Sequence, residues 1–299
     1  MIDVSVVIVN YNTKKLTLEC LNSIVNLTKN VNYEIIVVDN SSIDGSQDEI
    51  SKAFSDVRLI CLNENIGFGR ANNKGVEVAT GEFLFFLNSD TILLNNAIFY
   101  FYQFFKNNQN HKYVCGGSLL LNLSHKYTHS SNKFPTTSSL LKSLVLGYIN
   151  KIIRLNLNDE EFIFLDSNFF EVDYVTGADL FMYANKFKEI GGFDPKFFMY
   201  FEETDLQKRL SRFGYKSIVI NGPQIIHLEG GSSKSNSLRK KNIITQSMFV
   251  YLKKHSTLVS YVFFRFFYFC LRFPVLLSFK YSLRERFSYG KLLLSRLKM

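Results

Sequence analysis

The 299-residue chain contains no tryptophan, four prolines and four cysteines. The cysteines, Cys20, Cys61, Cys115 and Cys270, are far apart and form no CxxC pair and no Cys/His cluster. This spacing argues against structural zinc and against a disulfide framework, and it is typical of a reducing compartment. The N-terminus carries Asp3 where a signal peptide would carry basic residues, so we interpret it as a first strand and expect the folded part in the cytoplasm.

Hydrophobic residues make up 46% of the chain, and phenylalanine alone occurs 30 times. This composition excludes a disordered chain and is sufficient for the core of one large domain, with or without an appendage. The net charge of +9 requires a partner of opposite sign or another explanation. An anionic membrane and phosphorylated substrates remain candidates. Nucleic acid is not expected, because the chain has no recognisable DNA- or RNA-binding motif.

Short apolar runs alternate with helical patterns in the first ninety residues. The runs cover residues 4–9, 34–38, 57–62 and 83–87. Strands separated by helices at this spacing are typical of βαβ units and a largely parallel sheet. A dinucleotide-binding domain would carry a glycine fingerprint after its first strand, and Asn10-Tyr11-Asn12 has no glycine there. The sequence therefore favours an α/β fold of another kind.

The run at residues 83–87 ends directly in Asn88, Ser89 and Asp90. A carboxylate at the end of a buried strand lies where open α/β sheets bind ligands. Asp90 is therefore a candidate for holding a divalent cation on a phosphate. All three residues also favour turns, so a simple turn is the alternative for the tripeptide alone.

The second half of the chain adds acids and a histidine. A predicted helix over residues 202–212 begins with Glu202, Glu203 and Asp205, and His227 follows a predicted strand at residues 216–220. Acids at a helix N-terminus are also explained by the helix dipole alone. A single histidine after a strand is more often structural than a ligand.

From residue 249 the chain becomes apolar, aromatic and basic. Residues 258–279 are almost wholly apolar but contain Arg265, Arg272 and Pro274, which makes an ordinary spanning helix doubtful. A basic helix with an aromatic face fits a membrane interface, and a helix packed on the rest of the protein is the alternative. The net charge favours the first, with residues 249–290 on an anionic membrane surface.

Several motifs follow one another in a fixed order within residues 3–233. They are Ser5-Val-Val-Ile-Val-Asn-Tyr-Asn12, Glu34-Ile-Ile-Val-Val-Asp-Asn-Ser-Ser42, Asn63-Glu-Asn-Ile-Gly-Phe-Gly-Arg-Ala-Asn-Asn73, Phe86-Leu-Asn-Ser-Asp90, Thr176-Gly-Ala178, Gly191-Gly-Phe-Asp194, Tyr200-Phe-Glu-Glu-Thr-Asp-Leu206 and His227. In this order they resemble the inverting glycosyltransferases of family 2, close to the bacterial rhamnosyltransferase-like members. The resemblance implies an α/β GT-A fold over residues 1–233, with a mostly parallel central sheet flanked by helices. Residues 234–299 are expected to form a basic, aromatic-rich helical appendage associated with the membrane.

The resemblance places a nucleotide-sugar donor at the first strand ends. It implies that Tyr11 stacks on the donor base and that Asp39 accepts a hydrogen bond from the base or ribose. Asn65 and Gly67 resemble the loop that lets the backbone approach the nucleotide, although a helix start explains them equally well. The other donor-binding residues that it implies are Val9, Asn72, Asn88 and Ser89.

The resemblance also implies a metal site. Asp90 matches the last acid of the family's DxD motif, and Asn88 stands where the first acid would be, which leaves the site one charge short. His227 resembles the family's later metal-ligand histidine. The implied cofactor is Mn²⁺ or Mg²⁺, of which Mn²⁺ tolerates an imidazole better.

Inversion requires a carboxylate that takes the proton of the acceptor hydroxyl. Glu203 occupies the position of that base, with glutamate where the family has aspartate. Glu202 and Asp205 are the further catalytic residues implied, and capping of the helix is the alternative for Asp205. Acceptor contacts are implied for Gly177, Asp194 and Glu202.

The expected function is inverting transfer from a nucleotide diphosphate sugar, of the dTDP-rhamnose or UDP-sugar type, to a glycan acceptor in bacterial cell-surface polysaccharide synthesis. The acceptor is expected to be lipid-linked and the enzyme peripheral on the inner face of the cell membrane. The alternative is a catalytically inactive nucleotide-binding protein of the same fold, which Asn88 and the glutamate at 203 would favour.

Overall fold

The computed structural model describes residues 1–108, 111–153, 168–228, 238–277 and 282–298. The chain divides into two compact units. The first contains Met1–Phe134 and Ile163–Lys234, and the second contains Pro135–Phe162 and Ser235–Met299. In this division residues 135–162 group with the C-terminal residues.

The secondary structure alternates as the sequence predicts in the N-terminal half. The strands are β1 (Val4–Asn10), β2 (Tyr33–Asp39), β3 (Arg58–Cys61), β4 (Phe83–Asn88), β5 (Thr91–Leu93), β6 (Tyr113–Ser118), β7 (Ser131–Asn132), β8 (Phe169–Val172), β9 (Tyr174–Val175), β10 (Asp179–Tyr183), β11 (Lys216–Ile220) and β12 (Ile225–His227). The helices are α1 (Lys14–Leu27), α2 (Ser46–Ala53), α3 (Phe68–Val76), α4 (Ala97–Asn107), α5 (Thr137–Ile153), α6 (Ala184–Glu189), α7 (Glu202–Ser211), α8 (Leu238–His255), α9 (Leu258–Arg272) and α10 (Leu283–Lys298).

An eight-stranded sheet in the order β3-β2-β1-β4-β10-β6-β11-β8 forms the centre of the first unit. The strands β3, β2, β1 and β4 run parallel, as do β6 and β11, whereas β10 and β8 run antiparallel to their neighbours. This confirms the expected mostly parallel sheet. Two antiparallel ribbons, β5 with β12 and β7 with β9, lie outside it.

Aromatic packing explains why the central strands are unbroken apolar runs. All seven residues of β1 are buried, and β4 is buried up to Leu87, because helices cover the sheet on both faces. The ring of Phe181 lies with its centroid 5.3 Å from those of Phe83, Phe101 and Phe105. Close aromatic packing of this kind fixes the sheet against α4 and so holds the strand ends in place.

The second unit consists of α5, α8, α9, a short 3-10 helix (Phe273–Leu277) and α10. The ring of Phe249 on α8 lies 5.7 Å from that of Phe264 and 5.2 Å from that of Tyr268 on α9. Arg265 lies on the same packed face and is 8% exposed, with its guanidinium 5.5 Å from the Tyr261 ring.

The opposite face of α9 is exposed and apolar. Its exposed side chains are Leu258, Val259, Val262, Phe263, Phe266 and Phe267. Within the described residues, Leu258–Leu277 is the one helical segment that is long and apolar enough, by length and composition, to cross a membrane. The exposed face of α9 is therefore apolar, whereas Arg265 lies on its buried face.

Candidate active site

The register of the sheet brings several polar strand ends to one edge. Asn10 at the end of β1 pairs with Asp39 at the end of β2, and β4 ends beside them at Asn88. The antiparallel strand β10 begins at the same edge with Asp179. The backbone N–H of Asn88 donates to the carbonyl of Ala178 at 2.9 Å, which ties the Thr-Gly-Ala turn to the end of β4. Side chains predicted from separate motifs therefore converge at this edge.

Asp90 and His227 lie together because the β5–β12 ribbon pairs Thr91 with His227. Oδ1 of Asp90 is 3.3 Å from Nε2 of His227, and Nδ2 of Asn88 is 3.4 Å from the same nitrogen. The N–H of Leu228 donates to the carbonyl of Asp90 at 2.9 Å, which extends the pairing of the ribbon to Asp90. The two predicted metal ligands, Asp90 and His227, therefore form one cluster with Asn88, which was predicted to bind the donor.

Two atoms of this cluster, Oδ1 of Asp90 and Nε2 of His227, are suitable ligands for a divalent cation. An octahedral ion with ligands at about 2.1 Å brings adjacent donors to about 3 Å from each other. The 3.3 Å between the Asp90 oxygen and the His227 nitrogen is close to that value. Asp90 and His227 are two such ligands. Among the described residues, no group of three or more His, Cys, Asp or Glu side chains lies close enough together to hold a metal through protein ligands alone. Phosphate oxygens and water would supply the remaining ligands, as is usual for such ions on nucleotides.

The acidic pair Glu202–Glu203 begins α7. Glu203 is half-buried against the Thr-Gly-Ala turn, since a Cβ added at Gly177 would lie 3.6 Å from its Cβ and Cγ atoms. Glu202 is 3% exposed, and within the described part of the chain its Oε2 is buried without a hydrogen-bond partner. Burial raises the pKa of Glu203, and burial together with the neighbouring Glu203 charge raises the pKa of Glu202 to about 8. Two acids with raised pKa values thus begin α7, Glu203 against Gly177 and Glu202 against Gly69.

Asp205, the third acid of the motif, has a fixed protein partner. Its side chain is fully buried, and its Oδ2 accepts a hydrogen bond from Nε of Arg209 at 2.8 Å. The same guanidinium donates to the carbonyls of Ile190 and Gly192 at 2.5 and 2.6 Å. Through Arg209, Asp205 thus connects α7 to the Gly-Gly turn.

Asp39 is held by protein donors on both oxygens. Oδ2 accepts from Nδ2 of Asn10 at 2.6 Å, and Oδ1 accepts from the backbone N–H of Ser42 at 2.9 Å and from Nε2 of Gln47 at 2.8 Å. A carboxylate has about four acceptor positions, so about one remains for a nucleotide. Tyr11, 42% exposed, directly follows β1 and is accessible for stacking.

The loop before α3 is shaped by Asn65 and Gly67. Oδ1 of Asn65 accepts from the N–H of Gly67 and from Nδ2 of Asn40, each at 3.0 Å, so Asn65 supports the loop directly. Gly67 has φ +92°, and a Cβ there would lie 2.2 Å from the carbonyl oxygen of Phe198. This position therefore requires glycine for backbone conformation and for close approach.

Four other predicted residues make contacts within the protein. The hydroxyl of Ser89 is 3.1 Å from that of Thr13, and the amide of Asn72 donates to the backbone of its own helix at 3.2 Å. Val9 is 8% exposed within β1, and Asp194 accepts a backbone N–H two residues later in its turn. These contacts support the loops around the site.

Sequence reasoning gave no role to Asn10 or Asp179. Asn10 orients Asp39, as described above, and Oδ2 of Asp179 accepts from both the backbone N–H and the hydroxyl of Ser118 at 2.6 Å. Burial raises the pKa of Asp179 to about 7. Both residues adjoin motif residues at a strand end, and that position is the signal that could have identified them.

Known proteins resemble this chain in sequence and in fold. The family model described as "Glycosyl transferase family 2" matches residues 5–168. The rhamnosyltransferase WbbL of Escherichia coli K12 is 27% identical over 197 residues, which cover 63% of this chain and 70% of that protein. The Escherichia coli protein WfaP, named UDP-Glc:alpha-D-GlcNAc-diphosphoundecaprenol beta-1,3-glucosyltransferase, is 35% identical over 97 residues, or 32% of this chain and 38% of that one. In three further curated relatives, the chain spans between 18% and 34% of their length.

A solved structure, the mannosyltransferase PcManGT from Pyrobaculum calidifontis in complex with GDP-Man and Mn²⁺, superposes with a TM-score of 0.55 at 14% identity. The superposition covers 84% of this chain and 63% of that one. At this identity the likeness concerns the fold, and it agrees with the expected GT-A architecture. The family model covers more than half of the 299 residues. The chain therefore belongs to glycosyl transferase family 2.

Proposed function

We propose that this chain is an inverting glycosyltransferase that moves a sugar from a nucleotide diphosphate sugar to a glycan acceptor of the bacterial cell surface. The acceptor hydroxyl attacks the anomeric carbon from the face opposite the diphosphate. The hydroxyl proton passes to a carboxylate, the new glycosidic bond forms, and the bond to the nucleoside diphosphate breaks.

The observation that carries this proposal is the proximity of two kinds of group at one sheet edge. Asp90 and His227, suited to a cation on a diphosphate, adjoin Asn88. The N–H of Asn88 is bonded to the turn that carries Gly177, and Gly177 lies against Glu203. Sugar transfer needs both kinds of group near the same sugar: cation ligands for the leaving diphosphate and a carboxylate for the proton of the attacking hydroxyl.

Glu203 is the base in this proposal. The pKa of Glu203 is raised toward neutral pH, and a general base is most effective when its pKa is near the pH at which the enzyme works. Glu202 beside it would hold the acceptor sugar. Asp90 and His227 would hold the cation, which when bound supplies positive charge to the leaving diphosphate.

The names of relatives support the finer details of donor and acceptor. WbbL is named a rhamnosyltransferase, which favours a deoxysugar on dTDP, and WfaP is named for a UDP-sugar donor and a diphosphoundecaprenol-linked acceptor. We extend the lipid-linked acceptor to this chain because α9 exposes an apolar face.

Calorimetric titration of the full chain with UDP, dTDP and GDP tests the donor site, each with and without Mn²⁺ or Mg²⁺. We expect one nucleotide to bind in a metal-dependent manner and Asp90→Ala to weaken that binding at least about tenfold. Asp56→Ala removes an exposed carboxylate and serves as the control. Absence of nucleotide binding, or binding that ignores both metal and Asp90, would contradict the proposal. Nucleotide binding without sugar transfer to supplied acceptors would favour the inactive alternative.

We propose a location on the inner membrane face, which the apolar face of α9 and the basic residues near it support. Lys253 and Lys254 end α8 just before this helix, and anionic lipid attracts such charges. Co-sedimentation with vesicles containing phosphatidylglycerol tests this. The double substitution Phe263→Ser and Phe266→Ser should leave the chain in the supernatant, whereas Ile43→Ser, at an exposed apolar residue of the first unit, should not. Wild-type protein that stays in the supernatant would refute the membrane assignment.

A further inference from the structure

A groove of about 570 Å³ lies in the first unit, outside the residues assigned to the candidate active site. One wall is a single face of α4, formed by Tyr100, Gln103 and Asn107, which recur at helical spacing. The other wall comes from the far strands of the sheet, where Phe169 begins β8 and Asn221 follows β11. Every one of these residues lies in the described part of the first unit.

The lining of the groove combines aromatic rings with amides. Besides one isoleucine, its residues are phenylalanine, tyrosine, asparagine and glutamine, and none of the described lining residues is charged. Each amide offers both donors and an acceptor, which matches hydroxyl groups that also donate and accept. Aromatic rings pack against the apolar C–H faces of sugar rings. A phosphate or an acidic peptide would find no cation in this lining.

Three aromatic residues that line the groove, Phe104, Tyr113 and Phe169, are fixed by packing against one another. The ring of Phe169 packs edge to face with Phe104 at 5.3 Å and with Tyr113 at 5.2 Å, and the hydroxyl of Tyr113 donates to Glu171 at 2.9 Å. Tyr100 remains 44% exposed at the rim. Binding to such a surface orders few side chains, so little conformational entropy is lost.

The groove is near enough to the candidate active site for one extended glycan to reach both. Asn221 precedes His227 by six residues, and six extended residues span at most about 22 Å. Ile220, which also lines the groove, pairs with Ser118, the residue that binds Asp179 at the active-site edge. Ile220 and Asn221 thus place one end of the groove at the same edge of the sheet as these strand ends.

We propose that this groove is a second glycan-binding site, which holds neutral sugar residues of an acceptor chain remote from the reacting end. Tyr100 stacks on a sugar ring, and Gln103, Asn107 and Asn221 bind its hydroxyls. The use of the site in acceptor recognition rests on the proposed function, whereas the binding itself does not.

The test uses maltohexaose, cellohexaose and chitohexaose as neutral probes, with hexagalacturonate as the anionic comparison. Binding to the full chain is measured by saturation-transfer NMR and calorimetry without nucleotide. We expect at least one neutral hexasaccharide to bind and Tyr100→Ala to weaken it by about tenfold. The control Tyr127→Ala removes an exposed tyrosine that does not line the groove and should leave binding unchanged. Circular dichroism of both variants confirms that each remains folded.

The outcomes separate the two proposals. Hexasaccharide binding that persists in Asp90→Ala and Glu203→Gln, and is lost only in Tyr100→Ala, supports the groove even if no sugar transfer is found. No binding of any neutral probe, equal binding by Tyr100→Ala, or equal binding of hexagalacturonate would overturn it. Loss of binding in Asp90→Ala would place the probe in the candidate active site and would also overturn it.

Discussion

Replacing Arg209 by methionine tests whether Asp205 is a structural or a catalytic acid. The substitution keeps most of the side-chain stem and removes the guanidinium, which binds Asp205 and two backbone carbonyls. The Asp205 side chain is 0% exposed and the Arg209 side chain 14% exposed, so the carboxylate would remain buried without its counter-charge. We expect the loss to destabilise the first unit.

The magnitude follows from the burial of the pair. Removal of one partner of a buried ion pair costs about 3–5 kcal/mol. In a unit of about 200 residues this lowers the melting temperature by about 6–20 °C. The double substitution Asp205→Leu with Arg209→Met removes both charges and should recover part of that loss. Recovery is incomplete because the two carbonyls bound by Arg209 lose their donors.

Differential scanning calorimetry of the full chain measures these changes, because it can resolve separate transitions of the two units. Arg58→Met is the matched control: that exposed arginine donates to the carbonyl of Val78, and its loss should cost less than about 1 kcal/mol. Equal melting of Arg209→Met and Arg58→Met would refute the reasoning. So would an Asp205→Asn protein with unchanged melting and nucleotide affinity but no turnover, since Asp205 would then act on the substrate.

Three further predictions concern the same site. Glu203→Gln should lower kcat by about 10²–10⁴ while nucleotide affinity is kept, because it removes the base and preserves the shape; more than a tenth of the wild-type rate would contradict the assignment. The pKa of Glu202 is raised from 4.5 to about 8, so the folded state retains a proton that the unfolded state releases. The free energy of unfolding should therefore fall as pH rises through that window, and less steeply in Glu202→Gln; equal urea midpoints for the two proteins at both ends of the window would contradict this. Gly67→Ala should abolish nucleotide binding and destabilise the protein by more than about 1 kcal/mol, because the added Cβ would meet the carbonyl of Phe198. The control Gly147→Ala should not destabilise the protein, because Gly147 lies in a helix and an added Cβ there would have no atom within 4 Å.

The N-terminal half of the fold could be predicted because its strands are buried on both faces. Such strands are unbroken apolar runs, and the runs at residues 4–9 and 83–87 correspond to β1 and β4. The placement of β10 between β4 and β6 could not be predicted, since strand order depends on tertiary pairing. The grouping of α5 with the C-terminal helices depends likewise on packing between distant segments.

The candidate site shows the same division between local and tertiary information. The rule that ligands bind at strand ends pointed to Asp90, and the structure brings His227 beside it through a ribbon that no local pattern specifies. The partner of Asp205 was within reach of the sequence, because Arg209 follows it by four residues on the same helix.

The backbone directly before the acidic pair Glu202–Glu203 is strained. Tyr200 and Phe201 have φ values of +70° and +68°, a conformation that costs non-glycine residues about 1–2 kcal/mol each. The N–H of Asp205 donates to the carbonyl of Phe201 at 2.8 Å, so α7 begins directly after the strained pair. Burial raises the pKa values of Glu202 and Glu203 and outweighs the backbone hydrogen bonds at this helix start, which lower them. Backbone strain and raised pKa values thus coincide at Glu203, the residue proposed as the base, and at its neighbour Glu202, a combination that is common at functional sites.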